Sequence, residues 1–271
     1  MRKTYKGWFG EFSLDPSIDF YGDNYWRSVA DKTYEPDTMA FLENNLNTKS
    51  DFIDVGAATG AMSIIAAKLG ARVLSFEAVP RVFDIAKAHV NSNSDIASQI
   101  FLQNKAISNY SGILEIGNSS NPKVLASISD DQPLSNQLSK VPIVNLIDEI
   151  DTFHRKGHQL VLKIDIEGAE WQLLYDREVL DNLVLHNALI LLAIHPGFTR
   201  PIKVLPFGLT AISKKYWQLQ NLLVAYRFFQ QLLKLATIQR TNLDKIQTPK
   251  KCILLMFGGY FEFILNFAGA P

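Results

Sequence analysis

The sequence has a single cysteine, Cys252, no excess of charge of either sign and no long apolar run. One cysteine cannot form an intramolecular disulfide or a thiolate metal site, so a reducing compartment fits best. The 27 basic and 27 acidic residues cancel, which excludes a global attraction to nucleic acid. The most apolar stretch, residues 252–267, is interrupted by Gly258, Gly259 and Glu262 and is too short for a membrane span. We therefore expect a cytoplasmic protein without a nucleic-acid polymer as partner.

Short apolar runs alternate with helical periods from Asp51 onward, which predicts an α/β fold with a mainly parallel sheet. Residues 112–116 are expected to add an antiparallel strand to it. The first 50 residues are expected to form a cap region, and residues 51–271 the main domain. Within that domain, residues 199–250 are expected to be a helical insertion before a final hairpin at Gly258-Gly259.

The strongest local signal is a glycine-containing loop between a predicted strand and a predicted helix, Asp54-Val-Gly-Ala-Ala-Thr-Gly60. Gly56 and Gly60 permit a tight turn and the close approach of a ligand to the backbone. Glu77, about 20 residues further on, ends the second predicted strand and can accept hydrogen bonds from an adenosine ribose. The middle glycine of the dinucleotide fingerprint and the lysine of a phosphate-binding loop are both missing. S-adenosylmethionine is therefore favoured over NAD or ATP, and a strand–turn–helix without a ligand is the alternative.

A second cluster of charged residues, Lys163, Asp165, Glu167 and Glu170, follows a predicted central strand at the edge where open α/β sheets bind ligands. Lys163 and Asp165 would point to the same face of that strand. Capping of the next helix is the alternative role for the carboxylates. His195 ends the next predicted strand and would face the same crevice, where an imidazole can act as a general base.

The candidate catalytic residues are therefore His195, Asp165, Lys163 and Glu167. Either His195 or Asp165 would be the base that takes a proton from the acceptor, and the other would orient that base. Lys163 would stabilise negative charge on the acceptor or pair with Glu167. Asp165, Glu167 and His195 together also offer the ligand types of a divalent metal site. We favour the arrangement without a metal.

Four elements of the sequence resemble the FkbM family of S-adenosylmethionine-dependent methyltransferases. They are the loop Asp54–Gly60, Glu77 with Pro80, the run Asn104-Lys-Ala-Ile-Ser108 and the run Lys163-Ile-Asp-Ile-Glu-Gly-Ala-Glu170. The last run is the most specific, and the resemblance covers roughly residues 34–198 and the closing strands. The family commonly has Asn where Ala58 stands and Pro where Ala78 stands.

The resemblance implies a class I methyltransferase fold, which is a Rossmann-like, doubly wound sheet of seven strands with the last one antiparallel. It implies O-methylation, often of a sugar, glycan precursor or natural product. By position, it also assigns cofactor contacts. Asp54, Gly56, Ala57 and Gly60 would surround the methionine part, Glu77 would contact the ribose, and Asn104 would lie near the adenine. An inactive S-adenosylmethionine-binding scaffold and an NAD-linked oxidoreductase are the remaining alternatives.

The neutral net charge is a cancellation between two parts of the chain. Residues 199–251 contain ten basic residues and one acidic residue, Asp244, which leaves 17 basic and 26 acidic residues elsewhere. We expect an anionic acceptor, such as a nucleotide-linked or lipid-diphosphate-linked sugar, or peripheral contact with anionic lipid. Apolar and aromatic residues at helical spacing over 209–238 predict amphipathic helices. These would pack on the domain's own core, pack on a second subunit of a homo-oligomer, or form an acceptor lid at a membrane surface.

Overall fold

The structure is a computed structural model, and it describes residues 2–117, 138–166, 169–194, 225–239, 245–252 and 262–268. The strands are Lys3–Gly7 (β1), Gly10–Leu14 (β2), Ser50–Val55 (β3), Arg72–Phe76 (β4), Ile100–Gln103 (β5), Ala106–Ser108 (β6), Gly112–Gly117 (β7), Leu138–Asn145 (β8), Gln159–Ile164 (β9), Leu189–Ala193 (β10), Thr237–Gln239 (β11), Lys245–Ile246 (β12) and Glu262–Asn266 (β13). The helices are Asp23–Ala30 (α1), Pro36–Asn45 (α2), Ala61–Lys68 (α3), Pro80–Asn91 (α4), Leu146–Phe153 (α5), Glu170–Tyr175 (α6), Arg177–Leu185 (α7), 225–235 (α8) and 249–252 (α9).

A central sheet has its described strands in the order β12-β11-β13-β10-β9-β3-β4-β5. Strands β3, β4, β5, β9 and β10 are parallel, and β13 runs antiparallel between β10 and β11. The predicted mostly parallel α/β sheet with a reversed last strand is confirmed. The predicted count of seven strands is exceeded by one, because the two-residue strand β12 pairs with β11 at the edge.

The two faces of the sheet are covered by different parts of the chain, as the alternation of side chains along β9 shows. Leu160, Leu162 and Ile164 belong to a core shared with α5, α6, α7 and α8. Val161, one residue out of phase, belongs to a second core, which is shared with α1, α2 and α3. Lys163 has the same phase as Val161. A charged side chain is therefore placed on the face that the N-terminal residues cover.

The N-terminal residues, which are expected to form a cap region, contain a hairpin and two helices. Strands β1 and β2 pair as an antiparallel hairpin, and α1 and α2 follow it. Phe12, Trp26 and Met39 from these elements are buried in the second core together with Ile264 of the last strand. The cap region therefore shares one core with the central sheet.

Residues 106–145 contain an additional small sheet. Strand β8 pairs in parallel with β6 and antiparallel with β7, so the three form a separate sheet in the order β6-β8-β7. The expectation that residues 112–116 extend the main sheet is wrong, although the antiparallel direction is right. The hydrogen bonds of β7 go to β8. The periodicity of β7 alone does not show which strand it pairs with.

Part of the predicted insertion before the final hairpin can be described. Helix α8 packs on the domain's own core, where Phe228 and Phe229 are buried against Trp171. Residues 195–224, 240–244 and 253–261, with the Gly258-Gly259 turn, lie outside the described residues. None of the helices within the described ranges is long and apolar enough to cross a bilayer.

Replacing Phe229 with alanine should lower the free energy of unfolding by about 3–5 kcal/mol, because a fully buried ring between Phe228 and Phe263 would leave a cavity. Urea unfolding followed by tryptophan fluorescence measures the loss. Tyr226→Ala on the same helix is the control, since Tyr226 is exposed and its loss should cost less than about 1 kcal/mol. Equal effects of the two variants would contradict this packing of α8.

Candidate functional site

The loop after β3 turns sharply at Gly56, against the loop that follows β9. Gly56 has φ +90°, and the amides of Gly56 and Ala57 both donate to the carbonyl oxygen of Phe76, at 3.0 and 2.9 Å. A Cβ atom at position 56 would lie 2.0 Å from the carbonyl oxygen of Asp165. The amide of Asp165 in turn donates to the carbonyl oxygen of Val55 at 3.0 Å. Glycine is therefore required at position 56 for both its φ and its lack of a side chain.

The same loop contains a residue that is strained in a left-handed backbone conformation. Ala58 has φ +48°, and its amide donates to Oε2 of Glu77 at 2.9 Å. A left-handed conformation costs an L-residue roughly 1–2 kcal/mol, and asparagine tolerates it better than alanine. The loop closes at Gly60, whose amide donates to the carbonyl oxygen of Ala57 at 2.8 Å just before α3 begins.

Asp54 lies behind this loop and is completely buried. Its Oδ2 accepts a hydrogen bond from the hydroxyl of Ser63 at 2.6 Å, and that hydroxyl lies 2.7 Å from the hydroxyl of Ser75. Burial raises the pKa of Asp54, although the positive charge of Lys163 and the hydrogen bond from Ser63 oppose the shift. Asp54 therefore fixes the start of α3 against β3 and β4, one layer behind the residues that face the ligand pocket.

Glu77 and Asn104 hold the loop after β4. The two carboxylate oxygens of Glu77 accept from the amides of Ala58 and Val79, at 2.9 and 2.8 Å. Burial raises the pKa of Glu77 to about 7, although these hydrogen bonds oppose the shift. The side-chain amide of Asn104 donates to the carbonyl oxygens of Glu77 and Ala78, at 2.8 and 3.1 Å. Asn104 thus positions the backbone around Glu77.

A cavity of about 140 Å³ opens between these loops at the carboxyl edge of β3, β4 and β9. Its polar wall includes Gly56, Glu77 and Asp165. Its apolar wall comes from the segment after β5 and from the small sheet, through Ala106, Ile107, Leu114 and Ile116. Of the cofactor residues predicted from the sequence, Gly56 and Glu77 line this cavity, whereas Asp54, Ala57, Gly60 and Asn104 support the walls. The apolar residues of β7 were missed, because no local motif marks them.

Lys163 and Asp165 form an ion pair at the end of β9. Nζ of Lys163 donates to Oδ2 of Asp165 at 2.9 Å, and the lysine side chain is almost fully buried. Burial lowers the pKa of Lys163, but the negative charges of Asp165, Asp54 and Glu35 outweigh it, so the net shift is upward. Lys163 is therefore a buried cation held by surrounding carboxylates. The prediction that Lys163 and Asp165 share a face is confirmed.

Two further carboxylates, Glu35 and Glu262, approach this ion pair from the ends of the chain. Glu35 immediately precedes α2 and has φ +40°, and its charge acts on Lys163, Asp54 and Glu262. Glu262 begins β13, and its Oε1 accepts from the hydroxyl of Thr38 at 3.4 Å. We call Glu35, Lys163, Asp165 and Glu262 the carboxylate crevice. The sequence pattern missed Glu35 and Glu262, which lie far from every motif.

The N-terminal residues also contact the glycine-containing loop directly. The hydroxyl of Tyr25 lies 3.3 Å from that of Thr59, and the carbonyl oxygen of Thr59 is 3.1 Å from Nδ1 of His89. Tyr25 packs edge-on against Tyr34, the residue before Glu35. The cap region therefore covers the site and contributes polar groups to it.

Glu167 and His195 lie outside the described residues, so their predicted catalytic roles stay predictions. Within the described ranges, no group of three histidine, cysteine or carboxylate side chains is arranged to bind a metal ion. The metal site suggested for Asp165, Glu167 and His195 therefore also stays untested.

A mostly parallel α/β sheet with a reversed last strand, a glycine turn beside an acidic residue and an adjoining cavity define a class I methyltransferase fold. A family model described as the Methyltransferase FkbM domain matches residues 54–195, just over half of the chain. The protein belongs to this family.

Solved structures similar to this chain are methyltransferases with low sequence identity. Methyltransferase FkbM from Methylobacillus flagellatus KT is 14% identical with a TM-score of 0.42, over 91% of this chain and 56% of that one. This chain therefore matches little more than half of that protein's length. An O-methyltransferase from Bacillus cereus, in complex with SAH, is 11% identical with a TM-score of 0.41, over 89% and 85% of the two chains.

A geranyl diphosphate C-methyltransferase from Streptomyces coelicolor A3(2) is likewise 11% identical with a TM-score of 0.41, over 93% of this chain and 88% of that one. No curated protein sequence matches this chain. Likenesses at these levels identify no acceptor for it.

The residues around the cavity fit S-adenosylmethionine. Glu77 borders the cavity beside an apolar wall suited to a nucleobase, and Gly56 leaves the backbone open to a ligand. The carboxylate crevice begins at Asp165, which lines the same cavity, and its negative charges suit a positively charged sulfonium. We therefore expect Glu77 to bind the ribose, the apolar wall to contain the adenine, and the crevice to face the methyl group.

Replacing Gly56 with alanine should lower the free energy of unfolding by more than about 3 kcal/mol and abolish binding of S-adenosylhomocysteine, because the Asp165 backbone must move. Urea unfolding and calorimetry measure the two effects. Gly157→Ala is the matched control, since Gly157 has φ +84° but a Cβ atom added there would meet no neighbour within 4 Å. The free energy of unfolding of Gly157→Ala should fall only by the backbone strain, about 1–2 kcal/mol. Equal losses would contradict the close approach.

Replacing Glu77 with alanine should weaken binding of S-adenosylhomocysteine roughly 10- to 100-fold, because a carboxylate expected to accept hydrogen bonds from the ribose hydroxyl groups is lost. Isothermal titration calorimetry gives the dissociation constants. Glu115→Ala, on the exposed surface of β7, removes the same charge away from the cavity and should leave binding unchanged. Unaltered affinity in Glu77→Ala would show that Glu77 does not contact the ligand.

Proposed function

We propose that the protein is an S-adenosylmethionine-dependent O-methyltransferase that acts on a hydroxyl group of a sugar, glycan precursor or natural product. The observation that carries this proposal is the position of Asp165, which lines the cavity beside Glu77 and also pairs with buried Lys163 in the carboxylate crevice. Asp165 thus links the cavity to further polar groups that can bind a hydroxyl. This polar crevice favours catalysis over an inactive scaffold, which has no need of a buried ion pair beside its ligand.

The chain's residues have three tasks in such a reaction. S-adenosylmethionine supplies an activated methyl group on a positively charged sulfur. Glu77 and the glycine-containing loop hold the nucleoside, and the crevice orients the acceptor hydroxyl for in-line attack. A group in the crevice must also take the hydroxyl proton as the new bond forms. His195 and Asp165 are the candidates from the sequence. Asp165 already accepts from Lys163, which suits it to orienting the acceptor.

The distribution of charge suggests how an acceptor would be oriented. The crevice has three carboxylates and one lysine, so it favours the neutral, hydroxyl-bearing end of the acceptor. In the part of residues 199–251 that is described, all basic side chains are exposed or partly exposed, namely Arg227, Lys234, Lys245, Lys250 and Lys251. We propose that this segment binds the anionic end of a nucleotide-linked or lipid-diphosphate-linked sugar, or an anionic lipid surface beside it.

Turnover with labelled S-adenosylmethionine tests the proposal. The acceptors are neutral methyl glycosides, UDP-linked sugars and a polyprenyl-diphosphate-linked sugar, and mass spectrometry locates the added methyl group. We expect methylation of a hydroxyl oxygen, with the diphosphate-linked acceptors preferred. Wild-type protein that binds neither S-adenosylmethionine nor S-adenosylhomocysteine in calorimetry would refute the proposal, and methyl transfer to carbon or nitrogen would refute its O-methyl part.

Asp165→Asn should reduce turnover at least about 100-fold, because the ion pair that orients the acceptor is lost. Binding of S-adenosylhomocysteine, measured by calorimetry, should change by less than about threefold, since that ligand is uncharged at sulfur. Asp181→Asn, which removes an exposed carboxylate from α7, is the control and should leave both quantities unchanged. Unchanged turnover in Asp165→Asn would remove Asp165 from the reaction.

A further inference from the structure

At one edge of the sheet, three neighbouring strands place an acidic, a small and an acidic residue in a row on one face. Asp54 pairs with Lys163, Lys163 with Leu191, and Leu191 with Ile264. Side chains two positions apart on a strand share a face, so Glu262 is on the face of Ile264 and Lys163. Glu262 pairs with Ala193 of β10. Asp165 directly follows β9, the strand on the other side of β10. The row at the carboxyl edge therefore contains Asp165, Ala193 and Glu262.

A small residue separates the two carboxylates of this row. Neighbouring strands lie about 4.8 Å apart, so the backbones of Asp165 and Glu262, two strands apart, are separated by about 10 Å. Between them is Ala193, whose small side chain is partly exposed. The two carboxylates thus flank a small-residue floor, with the cofactor cavity on the Asp165 side. A hydroxyl group bound above Ala193 would lie between the cavity and Glu262.

Glu262 is surrounded by more negative than positive charge. Glu35 and Asp37 act on it from the start of α2, and Lys163 and Asp165 act on it from β9 and the loop that follows. Burial and, next, the charge of Glu35 raise the pKa of Glu262 to about 7. A carboxylate in this environment holds a proton far more readily than an exposed one. Thr38 donates to one oxygen, Oε1, and thereby orients the carboxylate.

We infer that Glu262 is the catalytic base that receives the proton of the acceptor hydroxyl, while Asp165, paired with Lys163, orients the acceptor from the opposite side of the floor. The inference rests on the proposed function. The acceptor oxygen forms a bond to the methyl carbon as the carbon–sulfur bond breaks, with its electron pair remaining on sulfur. The hydroxyl proton passes to the Glu262 carboxylate. Charge balances, because a sulfonium and a carboxylate become a neutral thioether and a carboxylic acid.

A test that needs no acceptor uses the charge difference between two ligands. S-adenosylmethionine is positively charged at sulfur and S-adenosylhomocysteine is not, and the rest of each ligand is the same. If Glu262 faces the methyl group, its ionisation should strengthen binding of the charged ligand only. The ratio of the two dissociation constants, measured by calorimetry, should therefore favour S-adenosylmethionine by about three- to tenfold more at pH of about 8 than at about 5.5. Titration of Glu77 affects both ligands through the shared ribose and cancels in the ratio.

Glu262→Gln should abolish the pH dependence of this ratio, and Glu35→Gln should move its midpoint to lower pH, because a charge that raises the Glu262 pKa is lost. Asp181→Asn should leave the dependence unchanged. A glutamine at position 262 can still accept a hydrogen bond from the Thr38 hydroxyl. Thermal unfolding checks that each variant is folded. A ratio independent of pH in the wild type, or an unchanged dependence in Glu262→Gln, would overturn the assignment. Absence of binding by either ligand would instead overturn the proposed function and the inference with it.

With an acceptor from the turnover assay, the pH–rate profile gives a second result. We expect the acid limb of the wild-type profile to have its midpoint near the Glu262 pKa, and Glu262→Gln to lose at least about 100-fold in turnover. Retained turnover with the same acid limb in Glu262→Gln would overturn the assignment and point to His195 as the base.

Discussion

The close approach of two loops at the carboxyl edge of the sheet determines where every part of the site lies. Gly56 contacts the carbonyl oxygen of Asp165, and the Asp165 amide continues the ladder by donating to Val55. This contact joins the loop that faces Glu77 to the strand end that presents Lys163 and Asp165. The cavity and the carboxylate crevice therefore lie on two sides of one backbone junction.

Electrostatics explains why the acidic residues are concentrated here. The methyl donor that we propose is positively charged, so nearby carboxylates favour its binding. Buried Lys163 offsets part of the repulsion between these carboxylates, and its net upward pKa shift shows that negative charge prevails around it. The basic residues of 199–251 lie elsewhere in the sequence, so the neutral chain separates its charges by region.

The sequence predicts the parts of the site that follow local rules. The glycine turn, the position of Glu77 at the cavity and the shared face of Lys163 and Asp165 all follow from spacing along one or two strands. Glu35 and Glu262 could not be found in this way. One depends on the docking of the cap region and the other on insertion of the last strand between β10 and β11. Periodicity also could not show that β7 belongs to a separate sheet, because hydrogen-bond partners are chosen by tertiary structure.

The contact of Thr38 with Glu262 joins residues 224 positions apart in the sequence. Ile264 of the last strand likewise completes the core around Trp26 and Met39. During synthesis on the ribosome, the aromatic N-terminal elements therefore emerge first but gain their final packing partners last. Part of their apolar surface stays uncovered until β13 is released, and exposed apolar surface promotes aggregation of a nascent chain.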